Sequence, residues 1–499
     1  MYYIDNVVLG LSTALSLGNL FYCFLGVFLG TAIGVLPGLG PVATIAMLLP
    51  ITYGLDPTTA LIMLAGIYYG AQYGGSTTAI LINLPGESSA VVATLDGHQM
   101  ARNGRAGVAL ATAAIGSFVA GTIATCVIVL FAPILAGFAI EFGAAEYFAL
   151  MVLGLIASVV LATGSLFHAL AMILIGILLG FVGIDVNSGL ARYSFGSMQL
   201  SDGIDFVVIA MGVFGLGEIM ANIHEQSRQI TTQKVTSLWP TRADYGRMWK
   251  PILRGTGIGS VLGVLPGGGA LLSAFAAYSI EKRVSPNSHE FGHGAIEGIA
   301  APESANNAGA QTSFIPMLTL GIPSNAVMAM MVGALIIQGI QPGPSVITEN
   351  PTLFWGLIAS MWIGNLMLVV LNLPLVGMWA KLATIPYYFL FPAILMFCCV
   401  GVYSLENNNF GIFLMAGFGL FGYALKRLGA EPAPLLLAFI LGPMLEEYFR
   451  RALLISRGDL SVFVTSPISA TLLGVAAILI VIVLMPGVTQ KREVVFKED

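Results

Sequence analysis

Charged side chains are scarce in this chain. Asp, Glu, Lys and Arg make up 9% of its 499 residues, whereas they account for about a quarter of a typical soluble protein. Mean hydropathy is +0.90, and the uncharged stretches Ala106 to Ile140 and Ser304 to Thr348 exceed the ~20 residues that cross a bilayer as a helix. The composition excludes an ordinary soluble protein and predicts an all-α polytopic membrane protein with about 10 to 12 transmembrane helices.

Motifs for nucleotide, metal and nucleic-acid binding give no signal either. The sequence has no GxxxxGK[ST] motif, so we expect no ATP binding by this chain. The four cysteines lack the CxxC spacing of metal sites. We also expect no zinc site at His289, Glu290 and His293. The net charge of −5 gives no basic stripe that would bind nucleic acid. We therefore expect no enzyme activity, no cofactor, and no metal beyond a possible Na⁺.

Basic residues are unevenly distributed. None precedes Arg102, so the basic start of a cleavable signal peptide is missing and the first apolar segment is expected to stay in the mature protein. The most polar stretch runs from Asn222 to Arg254, which the positive-inside rule places in the cytoplasm. The same rule favours the cytoplasmic side for Arg102 and Arg105, for Lys426 and Arg427, for Arg450, Arg451 and Arg457, and for Lys491 and Arg492.

Two glycine-rich runs divide the chain into similar halves, which we define as residues 1–235 and 236–499. Gly34-Val35-Leu36-Pro37-Gly38-Leu39-Gly40 returns as Gly263-Val264-Leu265-Pro266-Gly267-Gly268-Gly269. Proline lacks an amide hydrogen, and glycine lacks a side chain that holds the backbone, so each run is expected to break a helix. The predicted break residues are Gly34, Pro37, Gly38, Gly40, Gly263, Pro266, Gly267 and Gly269. Such breaks at membrane depth are typical of cavities that bind solute and ion in transporters.

A second repeated pattern predicts a hairpin in each half, over residues 75–92 and 312–328. Each has polar residues, about eight mostly apolar ones, a proline turn and another apolar run. Because an eight-residue helix rises only ~12 Å, each arm is expected to be too short to cross the bilayer and to re-enter instead. We predict that the two repeats have inverted topology.

The hydroxyl and amide side chains of these hairpins are candidates for binding an anion. The substrate candidates are Ser76, Thr77, Thr78, Ser88, Ser89, Thr312, Ser313, Ser324 and Asn325. Helix N-termini aimed at the same cavity would also favour an anion, which amides and hydroxyls would hold without an ion pair. An alternative stays open: small hydroxyls also allow close helix packing or bond back to their own helix.

Two carboxylates within or next to the hairpins are candidates for ion coupling. A carboxylate at membrane depth is costly unless it binds a cation, pairs or takes a proton. Glu87 and Glu303, with the amides of Asn306 and Asn307, supply the hard oxygen donors that a small cation prefers. A helix N-cap at the interface is the alternative for Glu303 and its neighbours. Asp96, which follows the first hairpin, is expected in a polar surface loop.

These motifs match a known family. They are the glycine runs, the block from Tyr68 through Thr78 to Gly86-Glu87-Ser88-Ser89, and Asp96-Gly97 after it. The chain resembles the large membrane subunit of the tripartite tricarboxylate transporter family over essentially its whole length. The resemblance implies a multi-pass protein of the bacterial inner membrane that works with a small four-helix membrane subunit and a periplasmic solute-binding protein.

The resemblance also implies a function. Substrates in that family are organic carboxylates, including citrate, other di- and tricarboxylates and aromatic carboxylates, and uptake is driven by a Na⁺ or H⁺ gradient. We expect elevator-type alternating access, with the bilayer as surroundings and no nucleic-acid partner. A stand-alone carboxylate carrier is the nearest alternative. An intramembrane enzyme is a more distant one, for which His168, inside an apolar run, is the available histidine.

Overall fold

The helices of this protein begin and end at recognisable sequence signals. The computed structural model describes residues 2–36, 38–161, 165–185, 187–222, 235, 238–265, 269–385 and 387–484. Helix α2 (Leu17–Gly34) starts after Ser16, whose hydroxyl accepts a hydrogen bond from the Asn19 amide, and α4 (Pro57–Ile82) starts at Pro57 after the Asp56 cap. Helix α11 (Arg242–Val264) starts with a capping box formed by Thr241 and Asp244.

The first half consists of ten α-helices among the described residues. They are α1 Tyr2–Ala14, α2 Leu17–Gly34, α3 Pro41–Leu48, α4 Pro57–Ile82, α5 Val91–Ala93, α6 Ala106–Ala139, α7 Ala144–Leu161, α8 Leu166–Gly180, α9 Phe206–Ala210 and α10 Gly217–Asn222. A 3-10 helix covers Ser88–Ala90, and π-helical segments cover Thr94–His98, Ala101–Arg105 and Met211–Leu216. Strands β1 (Gly183–Ile184) and β2 (Ala191–Arg192) form a small antiparallel ladder with Gly183 opposite Arg192.

The second half consists of α-helices and the loops between them, with one 3-10 helix and no β-strand among its described residues. Its helices are α11 Arg242–Val264, α12 Gly269–Val284, α13 Glu297–Thr312, α14 Phe314–Leu320, α15 Ala326–Ile337, α16 Ser345–Glu349, α17 Pro351–Asn372, α18 Val376–Leu382, α19 Tyr387–Glu406, α20 Phe410–Arg427, α21 Ala433–Ile455, α22 Val462–Thr465 and α23 Pro467–Leu484. The core joins the halves, because Tyr68 and Tyr69 of α4 pack on Phe314 of α14 at ring-centroid distances of 6.5 and 6.2 Å.

The prediction of an all-α membrane protein is confirmed in outline. By length and composition, the described helices Leu17–Gly34, Ala101–Ala139 and Pro351–Asn372 can cross a membrane. Shorter apolar helices accompany them, including Leu166–Gly180 and Pro467–Ile482. The number of crossings and the inverted orientation of the repeats stay predictions.

A stripe of glycines brings two helices together in each half. Gly30 of α2 lies so close to α4 that a Cβ there would sit 2.3 Å from the carbonyl oxygen of Ile67. Gly259 of α11 has the same relation to the carbonyl oxygen of Ala305 in α13, also at 2.3 Å. Small residues every four positions let membrane helices approach backbone to backbone. The same 229 positions separate Gly30 from Gly259 and Gly34 from Gly263, which supports the internal repeat.

The helix breaks occur where the glycine runs predict them. Helix α2 ends at Gly34 and α3 begins at Pro41, while α11 ends at Val264 and α12 begins at Gly269. Gly38 adopts a φ of 80° and Gly269 a φ of 46°, a region that favours glycine. The predicted break residues Pro37, Pro266 and Gly267 lie outside the described residues.

The predicted hairpins keep their proline turns, but the first one has a different arm. Helix α4 is continuous from Pro57 to Ile82, a length of 26 residues, so the prediction of an eight-residue arm that starts at residue 75 is wrong. Each turn begins with a residue in the left-handed region, Asn83 (φ 58°) or Gly321 (φ 72°), followed two positions later by Pro85 or Pro323. Re-entry of these segments into the bilayer stays a prediction.

Charged side chains gather at one end of the helix bundle. Three ion pairs lie there, Arg105–Asp244, Arg247–Glu297 and Arg254–Glu281, with N···O distances of 2.6, 2.7 and 2.5 Å. Helix α11 runs from this end to the glycine break and α12 returns from it, since the Arg254–Glu281 pair joins the two helices. Lys282 and Arg283, at the end of α12, therefore lie at the same end as the start of α11, which belongs to the polar stretch from Asn222 to Arg254, here called the linker.

Arg450 lies at the opposite end of the molecule. The 34 residues of α6 span about 51 Å, and Tyr147, just beyond its far end, stacks on Tyr448 with ring centroids 4.9 Å apart. Arg102 and Arg450 therefore lie at opposite ends of α6, so a crossing of the membrane by α6 would contradict the prediction that they share one side. Arg450 is paired with Asp185 and Glu446, so its charge is neutralised locally, which a count of basic residues does not reveal.

Candidate functional site

A cavity of about 470 Å³, here called the main cavity, lies where helix starts from both halves meet. Its size falls in the range of roughly 300–1,000 Å³ that is typical of small-molecule sites. Four α-helices and one 3-10 helix begin in its wall, at Pro41, Ser88, Gly269, Ala326 and Ala433. Both glycine breaks contribute to it, through Gly38, Gly40 and Gly269, and both proline turns contribute through Pro85, Gly86 and Asn325.

The helix starts make the wall favourable for an anion. The first amides of a helix lack partners within the helix, and its N-terminus carries about half a positive charge. Among the described residues that line the main cavity, none is Lys, Arg or His. An anion here would therefore be held by backbone amides and neutral side chains, as the sequence predicts.

Three acidic side chains in the wall act against an anion. Glu87, Glu218 and Glu431 all line the main cavity. Glu218 forms an ion pair with Lys426, which lowers its effect. The wall thus combines helix N-termini that attract carboxylates with carboxylates that repel them, and a multiply charged anion would enter most readily together with cations.

Glu87 is held by neutral hydrogen-bond donors. The Ser89 hydroxyl donates to its Oε1, and the Asn306 amide donates to the same oxygen at 3.5 Å. Asn306 in turn accepts a hydrogen bond from Gln72 Nε2 at 3.1 Å. This chain of contacts links the first proline turn to α13 of the other half. The structure thus brings together Glu87 and Asn306, two of the predicted coupling residues.

Asn325 occupies the corresponding position in the second half. Its Oδ1 accepts from the Met328 amide at 3.0 Å and so caps α15, while its Nδ2 donates to the Ser313 hydroxyl at 3.2 Å. Both turns therefore place a polar side chain immediately before a helical segment in the wall of the main cavity.

The predicted substrate residues separate into three groups. Ser88, Ser89 and Asn325 line the main cavity. Ser76 and Thr77 line a second, smaller cavity that also contains Glu303. The remaining residues line neither of these two cavities: Thr78, Thr312 and Ser313 donate to carbonyl oxygens of their own helices, at 2.9, 3.0 and 2.7 Å, and Ser324 is buried beside Asn325. For this last group the structure favours the helix-packing alternative.

The predicted break residues have different positions. Gly38, Gly40 and Gly269 line the main cavity. Gly34 and Gly263 instead form the ends of the two glycine stripes, where a Cβ would lie 2.4 Å from the Ala71 oxygen and 2.3 Å from the Gly309 oxygen. The glycines of one run thus serve both close packing and the cavity wall.

Sequence reasoning missed part of the wall. Glu218 and the start of α21, from Glu431 to Pro434, line the main cavity but were not predicted as site residues. The run Glu431-Pro432-Ala433-Pro434 before an apolar helix is a recognisable helix start. The sequence does not predict that this helix start lies beside the glycine breaks, because its position depends on tertiary packing.

The interpretation that the sequence carries no metal-binding motif is wrong for one run. His289-Glu290-Phe291-Gly292-His293 has HExxH spacing, which binds zinc when both histidines lie on one face of an α-helix. Here a 3-10 helix covers Ser288–Glu290, Gly292 has a φ of 87°, and Glu290 pairs with Arg247. Within the described part of the chain, no group of three His, Cys, Asp or Glu residues is placed to hold a metal ion.

Comparison with known proteins places the chain among bacterial relatives. It is 60% identical to an uncharacterized 52.8 kDa protein in the TAR-I ttuC' 3' region of Agrobacterium vitis, over 99% of both chains. It is 63% identical to an uncharacterized protein in the TAR-II ttuC' 3' region of the same organism, over 48% of this chain and all of that relative. No solved structure matches the chain.

A family model described as the tripartite tricarboxylate transporter TctA family matches residues 20–437. The match includes both glycine runs, both proline turns and the start of α21, and hence every described segment that begins in the wall of the main cavity. The chain belongs to the tripartite tricarboxylate transporter TctA family.

Proposed function

We propose that this chain is the membrane subunit through which a bacterial tripartite transporter imports organic carboxylates. Membership of a transporter family supports transport as the function, and a tripartite family implies partner subunits. The partners in this proposal are a small four-helix membrane subunit and a periplasmic binding protein that delivers the substrate. The location is the inner membrane.

The observation that carries the proposal is the wall of the main cavity. Helix starts from both halves converge on it without a lining Lys or Arg among the described residues. This arrangement suits a citrate-like di- or tricarboxylate or an aromatic carboxylate, held by amides and released again because no ion pair fixes it. The three glutamates of the wall favour joint entry of anion and cation, which is the physical basis of symport with Na⁺ or H⁺.

The mechanism proposed is elevator-type alternating access. The broken helices and proline turns would move with the substrate past helices that stay fixed in the bilayer. The contact between Glu87 and Asn306 supports movement of the two halves as one body, since a hydrogen bond joins them next to the substrate.

Uptake by membrane vesicles that contain all three partners tests the function. We expect accumulation of labelled citrate or another carboxylate to fall at least tenfold when the Na⁺ and H⁺ gradients are both collapsed. Uptake that survives the loss of both gradients would contradict coupled transport.

A single substitution tests the assignment of the main cavity. Asn325→Asp keeps a helix cap but adds a negative charge next to the substrate, so it should lower carboxylate uptake at least tenfold. Asn350→Asp is the matched control, because Asn350 occupies the N-cap position of α17, without a side-chain capping hydrogen bond, and does not line this cavity. Equal uptake by both variants at equal membrane abundance would exclude the main cavity as the substrate site.

A further inference from the structure

A second, smaller cavity lies beside the main cavity and is here called the Glu303 cavity. Its volume is about 20 Å³, enough for one particle the size of a water molecule. Its polar lining comes from four helices of both halves and consists of Tyr73, Ser76 and Thr77 of α4, Ser117 of α6, Glu303 of α13 and Asn372 of α17. All of these side chains present oxygen atoms.

The charge of Glu303 is not balanced by a basic residue. Glu303 is 3% exposed, and its Oε1 accepts a hydrogen bond from the Ser76 hydroxyl at 3.0 Å. Within the described residues, none of the ion pairs involves Glu303. A buried carboxylate without a counter-charge is costly, so a cation or a proton is required nearby.

The other oxygens of the Glu303 cavity are available to a cation. The hydroxyl hydrogens of Tyr73 and Thr77 are donated elsewhere, to the carbonyl oxygens of Ala114 and Tyr73 at 3.1 and 3.0 Å. The Tyr73 oxygen also contacts the Ser117 hydroxyl, whereas the Thr77 oxygen keeps lone pairs for an occupant of the cavity. Asn372 is 6% exposed and donates its Nδ2 to Leu368 O at 2.9 Å, while its Oδ1 is fully buried without a partner among the described residues.

We propose that the Glu303 cavity binds a sodium-sized monovalent cation, with Glu303, Ser76, Thr77, Ser117 and Asn372 as its ligands. One carboxylate balances one positive charge, whereas Ca²⁺ sites recruit several. Carboxylate, hydroxyl and amide oxygens are the hard donors that such an ion prefers. Ser117 and Asn372 extend the predicted coupling residues, and Glu87 is left to the main cavity.

Helix α13 connects this cation site to the main cavity. Asn307 donates to the Ser117 hydroxyl at 2.6 Å and to the Glu303 carbonyl at 3.1 Å, while the adjacent Asn306 contacts Glu87. A cation between α4, α6, α13 and α17 would fix the position of α13 and therefore of the donor that orients Glu87. The use of this site for coupling rests on the proposed function, whereas cation binding itself does not.

Cation binding is tested on the purified full-length chain without carboxylate. The melting temperature is followed as NaCl replaces choline chloride at constant ionic strength. We expect the wild type to be stabilised by Na⁺ and not by K⁺, and Ser117→Ala to need at least tenfold more Na⁺ for half of the effect. Glu303→Gln and Asn372→Leu should abolish the response.

Asn365→Leu is the matched control, because Asn365 is a buried asparagine of the same helix that does not line the Glu303 cavity. It should keep the wild-type Na⁺ response. A wild-type chain that responds only to pH, or Ser117→Ala and Asn372→Leu variants with an unchanged Na⁺ response, would overturn the cation site. The two proposals can fail separately. If wild-type uptake depends on the ion gradients but the melting temperature of these variants still responds to Na⁺ as in the wild type, the cation site is refuted and the proposed function is not. If wild-type uptake does not depend on the gradients, the proposed function is refuted.

Discussion

Asp96 joins the two halves of the chain through a single carboxylate. Its Oδ1 accepts hydrogen bonds from the backbone amides of Gly292, Gly294 and Ala295, each at 2.8 Å, and its Oδ2 accepts from the Tyr278 hydroxyl at 2.9 Å. The side chain is fully buried. The expectation of a polar surface loop is wrong here, since the acceptor lies in one half and its four donors in the other. No local pattern could reveal this contact.

Loss of this carboxylate should destabilise the whole protein. Asp96→Ala leaves the amides before α13 without their acceptor, and hydrogen bonds to a charged group contribute about 1.5–3 kcal/mol each. We expect the free energy of unfolding in mild detergent to fall by about 3 kcal/mol or more. Asp202→Ala, at an exposed aspartate, should change it by less than about 0.5 kcal/mol. Equal stability of the two variants would show that the Asp96 contacts contribute little.

At the scale of elements, the paired glycine stripes set the distance between helices. In α11, Gly255, Gly259 and Gly263 face α13, and Cβ atoms there would lie 2.2–2.3 Å from backbone or side-chain atoms of α13. Gly257, on another face of the same helix, has nothing within 4 Å. The close packing of α11 on α13 therefore depends on the position of each glycine along the helix. The number of glycines in α11 does not determine it.

Two alanine substitutions separate packing from helix propensity. Gly259→Ala should force α11 and α13 apart and lower stability by about 1–3 kcal/mol. Gly257→Ala, the control on the same helix, should leave stability unchanged or raise it by up to about 1 kcal/mol, because alanine favours helix. Thermal unfolding of both variants in the same detergent provides the measurement. A similar loss in both would contradict the close approach of α11 and α13.

Local sequence chemistry explains which elements were predictable. The breaks at Gly34 and Gly263 follow from proline and glycine, whose backbone effects act within a few residues. The sequence did not predict that α4 continues through Gly75, because the polar residues that follow, Ser76 to Thr78, resemble the end of a helix. In the structure Thr77 and Thr78 donate to carbonyl oxygens of their own helix, so polar residues can remain inside a buried helix.

The candidate site was predictable only where it is local. Ser89 and Glu87 are two positions apart in one proline turn, and their contact follows from that proximity. Glu218 and Asn372 enter the two cavities from helices distant in sequence, and their roles depend on how α10 and α17 pack. A single sequence carries no record of such long-range contacts.

At the scale of the whole molecule, the two ends differ in how their arginines are used. At the end that carries the linker, Arg105 forms an ion pair with Asp244 of α11, and Arg247 of α11 forms one with Glu297 of α13. At the other end, Arg450 forms an ion pair with Asp185. In the proposed function a substrate passes between these ends through helices that share the main cavity, so the orientation of the ends decides which one receives it.

Chemical labelling of single cysteines determines that orientation. In a variant without native cysteines, Asn103→Cys and Asp459→Cys place thiols at exposed positions on opposite ends. The linker end should be cytoplasmic, so an impermeant maleimide should modify Asp459→Cys in intact spheroplasts and Asn103→Cys only after permeabilisation. Lys282→Cys should behave like Asn103→Cys because α12 returns to the linker end. Labelling of Asn103→Cys and Asp459→Cys from the same side would contradict a crossing by α6 and the arrangement of the main cavity between two ends.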